Sequence, residues 1–133
     1  MSYNMTGSAA YRRDDVLTAS PLRLVVLTMN AFLSRTERAR RAVQTKDAAA
    51  YRTHVNMARA IVCELVGALD RNAGGEIAKQ LASLYEFMLM RLLKPGVAPD
   101  LAALESAAAL MKTIKEGFDV ILAAGAEQQS VSV

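Results

Sequence analysis

The sequence predicts an all-α protein: an antiparallel up-down-up-down four-helix bundle preceded by a short N-terminal arm. Three observations carry that reading. Apolar residues make up 53% of the chain but aromatics only 5%, and the frequent Ala, Leu, Met and Arg lose little side-chain freedom in a helix. Two long stretches repeat apolar residues at alternating spacings of three and four, the mark of one helix packed along others. Short segments rich in Pro, Gly and Asp separate the periodic runs, and brief turns make antiparallel neighbours. At 133 residues the chain is one domain, able to bury roughly two-thirds of its unfolded surface.

The elements follow in order. Residues 1–19 are polar and small, with isolated apolar residues at Tyr11, Val16 and Leu17, and read as a loosely held arm. Ser20 can cap a helix and Pro21 suits its first turn, where a missing N–H costs nothing. The first helix is expected from Pro21 to about Thr45. Asp47 is the next cap, and Tyr51, Val55, Ala58, Val62, Leu65 and Leu69 form the seam of a second helix. That helix is expected to end near Asp70, with Gly74 and Gly75 supplying its C-terminal cap. A third runs from about Glu76 to Lys94, where "KPGVAPD" stops it. Asp100 caps the fourth, whose seam is Leu104, Ala107, Met111, Ile114, Phe118 and Ile121. The bundle thus spans 20–125, and residues 126–133 read as a frayed tail.

Enzyme chemistry finds little to work with. His54 is the only histidine and Cys63 the only cysteine; nine positions apart, they fall on opposite faces of one helix. A surface imidazole and a packed thiol are the expectation. No Glu-x-x-His pair exists for a di-metal bundle. Gly74 and Gly75 lack the Lys-Ser or Lys-Thr of a phosphate loop. Neither catalysis, cofactor nor metal is expected. Arg35, Arg38, Arg40 and Arg41 spread around a helix with Glu37 among them and no aromatic platform, so a solvated face is preferred to nucleic-acid binding. A net charge of +3 is mild. No apolar run reaches the roughly 18 residues needed to cross a bilayer, and the start has no apolar signal region. A soluble cytoplasmic protein without membrane insertion is expected.

One stretch carries more apolar surface than a bundle needs. In "GGEIAKQLASLYEFMLMRLL", twelve of the seventeen positions from Ile77 to Leu93 are apolar. On a helical wheel most fill one arc of about 180°, which two neighbours in a bundle explain. Phe87 and Met90 fall outside it, among Glu86, Ser83 and Lys79. The second helix has a milder excess at Met57, Ile61 and Val66 beside its seam. Flexible methionines at such places suit a groove for another helix. A binding module for an amphipathic partner is the preferred reading. A homodimeric helical assembly module using the same strip is the alternative.

The same stretch resembles the flagellar secretion chaperone family (FliS), whose members carry Gly-Gly-Glu-Ile-Ala followed by Leu-Tyr-Asp-Tyr-Met and Arg-Arg-Leu. Gly74 to Ala78, Leu84, Tyr85, Met88, Arg91 and Leu92 match. "AYRRDDVLTASPLRLV" is similar to the family's N-terminal pattern, and the resemblance runs from about Ala10 to Ile121. Where members usually show Leu-Tyr-Asp-Gly, this chain has Thr28, Met29, Asn30 and Ala31. The resemblance implies a cytoplasmic export chaperone that binds the C-terminal segment of flagellin, prevents its early polymerisation and docks at the export gate's cytoplasmic domain. A paralogue with a different secreted client is the variant reading, and a monomer or weak homodimer is expected. The groove is assigned to Met57, Ile61, Leu65, Tyr85, Leu89 and Met90 on the outer face of the bundle. The family's covering arm maps to Tyr11 and Val16.

Overall fold

The structure, a computed structural model, describes residues 20–69, 71–92 and 99–131. Its helices are α1 (Pro21–Gln44), α2 (Ala48–Gly67), α3 (Arg71–Leu92) and α4 (Leu101–Val131). Each packs on its neighbours in the chain, and α4 closes the ring against α1. This is the expected four-helix arrangement, with no strand among the described residues. Packing around the ring is uneven: α1 and α2 are the most intimate pair, α3 and α4 the least.

Local chemistry sets the helix ends. Ser20 Oγ accepts from the Arg23 amide at 3.1 Å, Asp47 Oδ1 from Ala50 at 3.0 Å, and Asp100 Oδ1 from Ala103 at 2.9 Å. All three caps stand where the sequence put them. The Asp100 amide, free of its own helix, donates to Tyr51 Oη at 3.1 Å. That bond ties the start of α4 to the start of α2, so both begin at the same end of the bundle.

Two turns depart from expectation. α1 closes with Lys46 in the left-handed region at φ 58°. There the Lys46 amide reaches Val43 O at 3.2 Å and the Asp47 amide reaches Ala42 O at 2.9 Å. This pairing satisfies the last carbonyls of a helix and normally recruits glycine; lysine accepts a strain of about 1–2 kcal/mol there. The two glycines, meanwhile, do not cap α2, which ends at Gly67 with Ala68 as its cap. Gly75, at φ 54° and ψ −127°, instead breaks α3 after one initial turn. The main run of α3 therefore begins at Glu76, as the sequence indicated. A Cβ on Gly74 would sit 2.8 Å from that of Ala78, so this position needs glycine for space. At the far end, α4 is helical to Val131.

The core is one stripe from each helix. Met29 and Phe32 meet Ala58 and Val62, Tyr85 and Met88, and Ala107 and Met111. The seam of α4 is buried at Leu104, Ala107 and Met111 but is lost on descending: Ile114 and Phe118 are half-buried and Ile121 is exposed.

Two glycine substitutions separate backbone strain from helix propensity. Gly75→Ala is expected to lower unfolding free energy in urea by about 1–3 kcal/mol, because alanine is strained at that φ and ψ. Gly117→Ala, in α4 with nothing within 4 Å of a new Cβ, is expected to raise it by about 0.5–1 kcal/mol.

Candidate functional site

Apolar surface collects on one side of this bundle. Most of the exposed large apolar side chains lie on α3 and α4: Ile77 (69% exposed), Phe87 (49%), Met90 (73%), Val120 (68%) and Ile121 (57%). The core face of α3 is Ala78, Ala82, Tyr85, Met88 and Leu92. At 100° per residue, Phe87 and Met90 point almost directly away from it. Ile77, Leu84 and Phe87 fall at i, i+7 and i+10, along one flank of α3.

That flank leads into a cleft of about 360 Å³ at the end where α1 and α3 begin. All four helices line it: Val25 from α1, Leu65 from α2 with Leu69 from the turn after it, Ile77, Leu81 and Tyr85 from α3, and Phe118 from α4. Ile121 lies one turn beyond Phe118 on the same face of α4, so it extends the apolar rim. Tyr85 sits at the floor, 1% exposed, and burial pushes its phenol up to about 12. An apolar cleft continuous with an exposed apolar flank is suited to taking up amphipathic chain rather than to acid–base chemistry. No group of three His, Cys, Asp or Glu side chains placed to hold a metal occurs among the described residues. Within them, no helix is long and apolar enough to cross a membrane.

The expected groove residues do not share one groove. Leu65 is 3% exposed and Tyr85 1%; both belong to the core, and they meet only as part of the cleft's lining. A helix needs its largest apolar side chains inside, and a wheel alone does not separate core from rim. Leu89 is half-buried and packed on the core. Met57 and Ile61 share a flank of α2 with His54, at i, i+3 and i+7. That flank faces α1, because His54 Nδ1 meets Arg35 Nη1 at 3.3 Å. Met90 alone stands fully outward. Tyr11 and Val16 lie outside the described residues.

Sequence reasoning missed Ile77, Val120, Ile121 and Phe118 as surface features. The one available signal was Val120 beside Ile121, a pair that a single narrow stripe does not accommodate. The expected packed thiol and surface imidazole are reversed as well: Cys63 is exposed, and His54 is half-buried against Arg35. Among the arginines, Arg40 is engaged by Glu37, with Nη2 to Oε1 at 2.7 Å. Of the four positions from Thr28 to Ala31, Met29 is wholly buried, whereas Asn30 and Ala31 are exposed.

Comparison with known proteins places the chain. The family model described as flagellar protein FliS matches residues 4–125. The flagellar secretion chaperone FliSB of Pseudomonas aeruginosa is 35% identical over 106 residues, covering 80% of this chain and 84% of the relative. The flagellar secretion chaperone FliS of Salmonella typhimurium is 31% identical over 133 residues, covering 96% and 98%. The Escherichia coli FliS is 28% identical over 121 residues, covering 87% and 89%.

The buried phenol makes a pH prediction. Tyr85 holds its proton more tightly folded than unfolded, so its contribution to stability is complete below pH 10 and is lost as pH rises towards about 12. Thermal melts of the parent protein are expected to fall across that window by more than those of Tyr85→Phe. The difference amounts to about 2–3 kcal/mol at its upper end.

Proposed function

Because the chain belongs to the flagellar secretion chaperone (FliS) family, we propose that it binds the C-terminal segment of a flagellin in the cytoplasm, prevents early polymerisation and delivers it to the cytoplasmic domain of the export gate. The observation that carries this reading is the apolar surface left exposed at Ile77, Phe87 and Met90 on α3 and at Val120 and Ile121 on α4, together with the end cleft that Ile77 lines. A monomer leaves contiguous apolar area uncovered where a partner covers it. An unpolymerised segment that becomes helical on this surface buries its own apolar stripe and withdraws it from self-association. Ordering such a segment consumes roughly 2–5 kcal/mol of the gross interaction energy, so a broad apolar contact is required.

The N-terminal arm has a natural seat in this scheme. α1 starts at Pro21, and Val25, one turn later, lines the cleft. Val16 lies five residues ahead of Pro21, within at most about 18 Å of chain. Tyr11 and Val16 are thus within reach of the cleft and are proposed to cover it until client arrives. A cover of this kind lowers apparent affinity by its closed population without changing the cleft itself. Met57 and Ile61, on the α1 side of α2, are assigned a secondary contact. Leu65 and Tyr85 act from beneath, by shaping the cleft.

Titration calorimetry with the C-terminal segment of a flagellin from the same source tests the proposal. One-to-one binding with a strongly negative heat-capacity change is expected. Met90→Asp and Phe87→Asp are each expected to weaken it about tenfold or more, or about 1.4 kcal/mol, with helical circular dichroism unchanged. Leu89→Asp is expected to reduce the helical signal instead, because Leu89 packs on the core. Undiminished affinity in both surface variants sinks the assigned surface, and absence of binding by the parent protein sinks the client.

A further inference from the structure

The floor of the end cleft holds a hydrogen-bond donor without an acceptor. Of the described tyrosines, Tyr51 has its hydroxyl engaged, accepting from the Asp100 amide at 3.1 Å. Tyr85, 1% exposed, forms no hydrogen bond with a described residue, and its phenol is perturbed by burial alone. The hydroxyl is nevertheless not sealed in. Among the described residues, the side-chain atoms buried without a partner are Arg59 Nε and Arg91 Nε, so the little accessibility that Tyr85 keeps lies at Oη. A helical side chain slants towards the N-terminus of its helix. That slant carries the ring from the core stripe of α3 towards Leu81, Ala78 and Gly74, which share the cleft's lining with it. The other lining residues are aliphatic or, at Phe118, aromatic, so the phenol is the single polar side-chain group there. In a largely apolar pocket a group of this kind fixes the orientation of what enters.

We propose that Tyr85 Oη donates to a free backbone carbonyl in the last turn of the client's helix, so that the client enters the cleft by the C-terminal end of that helix. The inference rests on the client reading given above and adds a polarity to it. The last carbonyls of a helix have no partner further along, and a carbonyl brings no donor of its own into an apolar site. A side-chain amide would bring N–H donors that no side chain of the lining accepts, and a carboxylate would be buried with no cation in the lining. The opposite polarity fits less well, since a helix N-terminus brings several free N–H groups against one phenol oxygen. A closing turn pairs most of its own last carbonyls and leaves one over for the single donor. The apolar side chains of that turn fill the cleft, and the preceding turns lie along the Ile77 and Phe87 flank of α3.

Tyr85→Phe keeps the ring and removes the donor. In calorimetry with the C-terminal segment of a flagellin from the same source, this variant is expected to bind about tenfold more weakly than the parent protein. Its thermal melt at neutral pH is expected not to fall, because the lost hydroxyl has no partner among the described residues. Equal affinity in the two proteins overturns the proposal and leaves Tyr85 acting by shape alone. Polarity is read with a nitroxide on the exposed Cys63, close in sequence to Leu65 of the cleft. Signals of the bound segment are expected to broaden most at the C-terminal end of its helix, and greatest broadening at the N-terminal end overturns the proposal. N,N-dipropylhexanamide, an apolar molecule with a carbonyl and no N–H, tests the donor without any client. It too is expected to bind the parent protein about tenfold more tightly than Tyr85→Phe. If the amide discriminates and the parent protein does not bind the segment, the client reading falls and the donor site stands. If the segment binds and neither ligand discriminates, the donor site falls and the client reading stands.

Discussion

Each helix can give the core only one stripe, and that constraint shapes both the inside and the outside of this bundle. Met29, Phe32, Tyr85, Met88, Leu104 and Met111 are the large side chains that fill the interior. Close-packed interiors leave little room for more. Apolar residues beyond the stripe must therefore stand at seams, ends or outer faces. α1 and α2 pack tightly enough to cover most of theirs, whereas α3 and α4, the least intimate neighbours around the ring, leave theirs exposed. Where the chaperone is apolar on its surface follows from where its helices fail to cover one another.

The lower end of the bundle shows how such a surface arises. Gly75 breaks α3 just before Ile77, so that residue stands in the first turn of the main run, with too little helix around it to bury it. On the neighbouring helix the seam continues to Ile121 although its burial fades after Met111. Apolar periodicity outlasts the partners that would have covered it. The cleft between these two ends is walled by all four helices and floored by Tyr85, whose neutral phenol tolerates an environment that a charged group would not.

Charge is arranged around apolar surface rather than at a reaction centre. Arg40 is held by Glu37, Lys115 by Asp119 at 2.7 Å, and Arg35 meets the half-buried His54. The exposed pairs contribute little to stability.

Much of this was legible in the chain. Ser20, Asp47 and Asp100 announced three helix starts because a cap is a local hydrogen bond between neighbours in sequence. The seams Val55-Ala58-Val62-Leu65 and Leu104-Ala107-Met111 announced the core because periodicity is a property of one helix. Phe87 and Met90 were recognisable as surplus for the same reason. Other features depended on the neighbours. Lys46 in a left-handed turn, Gly75 as a break in α3 rather than the cap of α2, and Leu65 and Tyr85 as core rather than groove are set by tertiary packing. A wheel assigns a residue its direction on a helix but not the distance to the next one. The sequence by itself determined four amphipathic helices, their starts and their shared core. Only the tertiary structure decided which apolar residues that core could not reach, because burial depends on how closely the second helix comes.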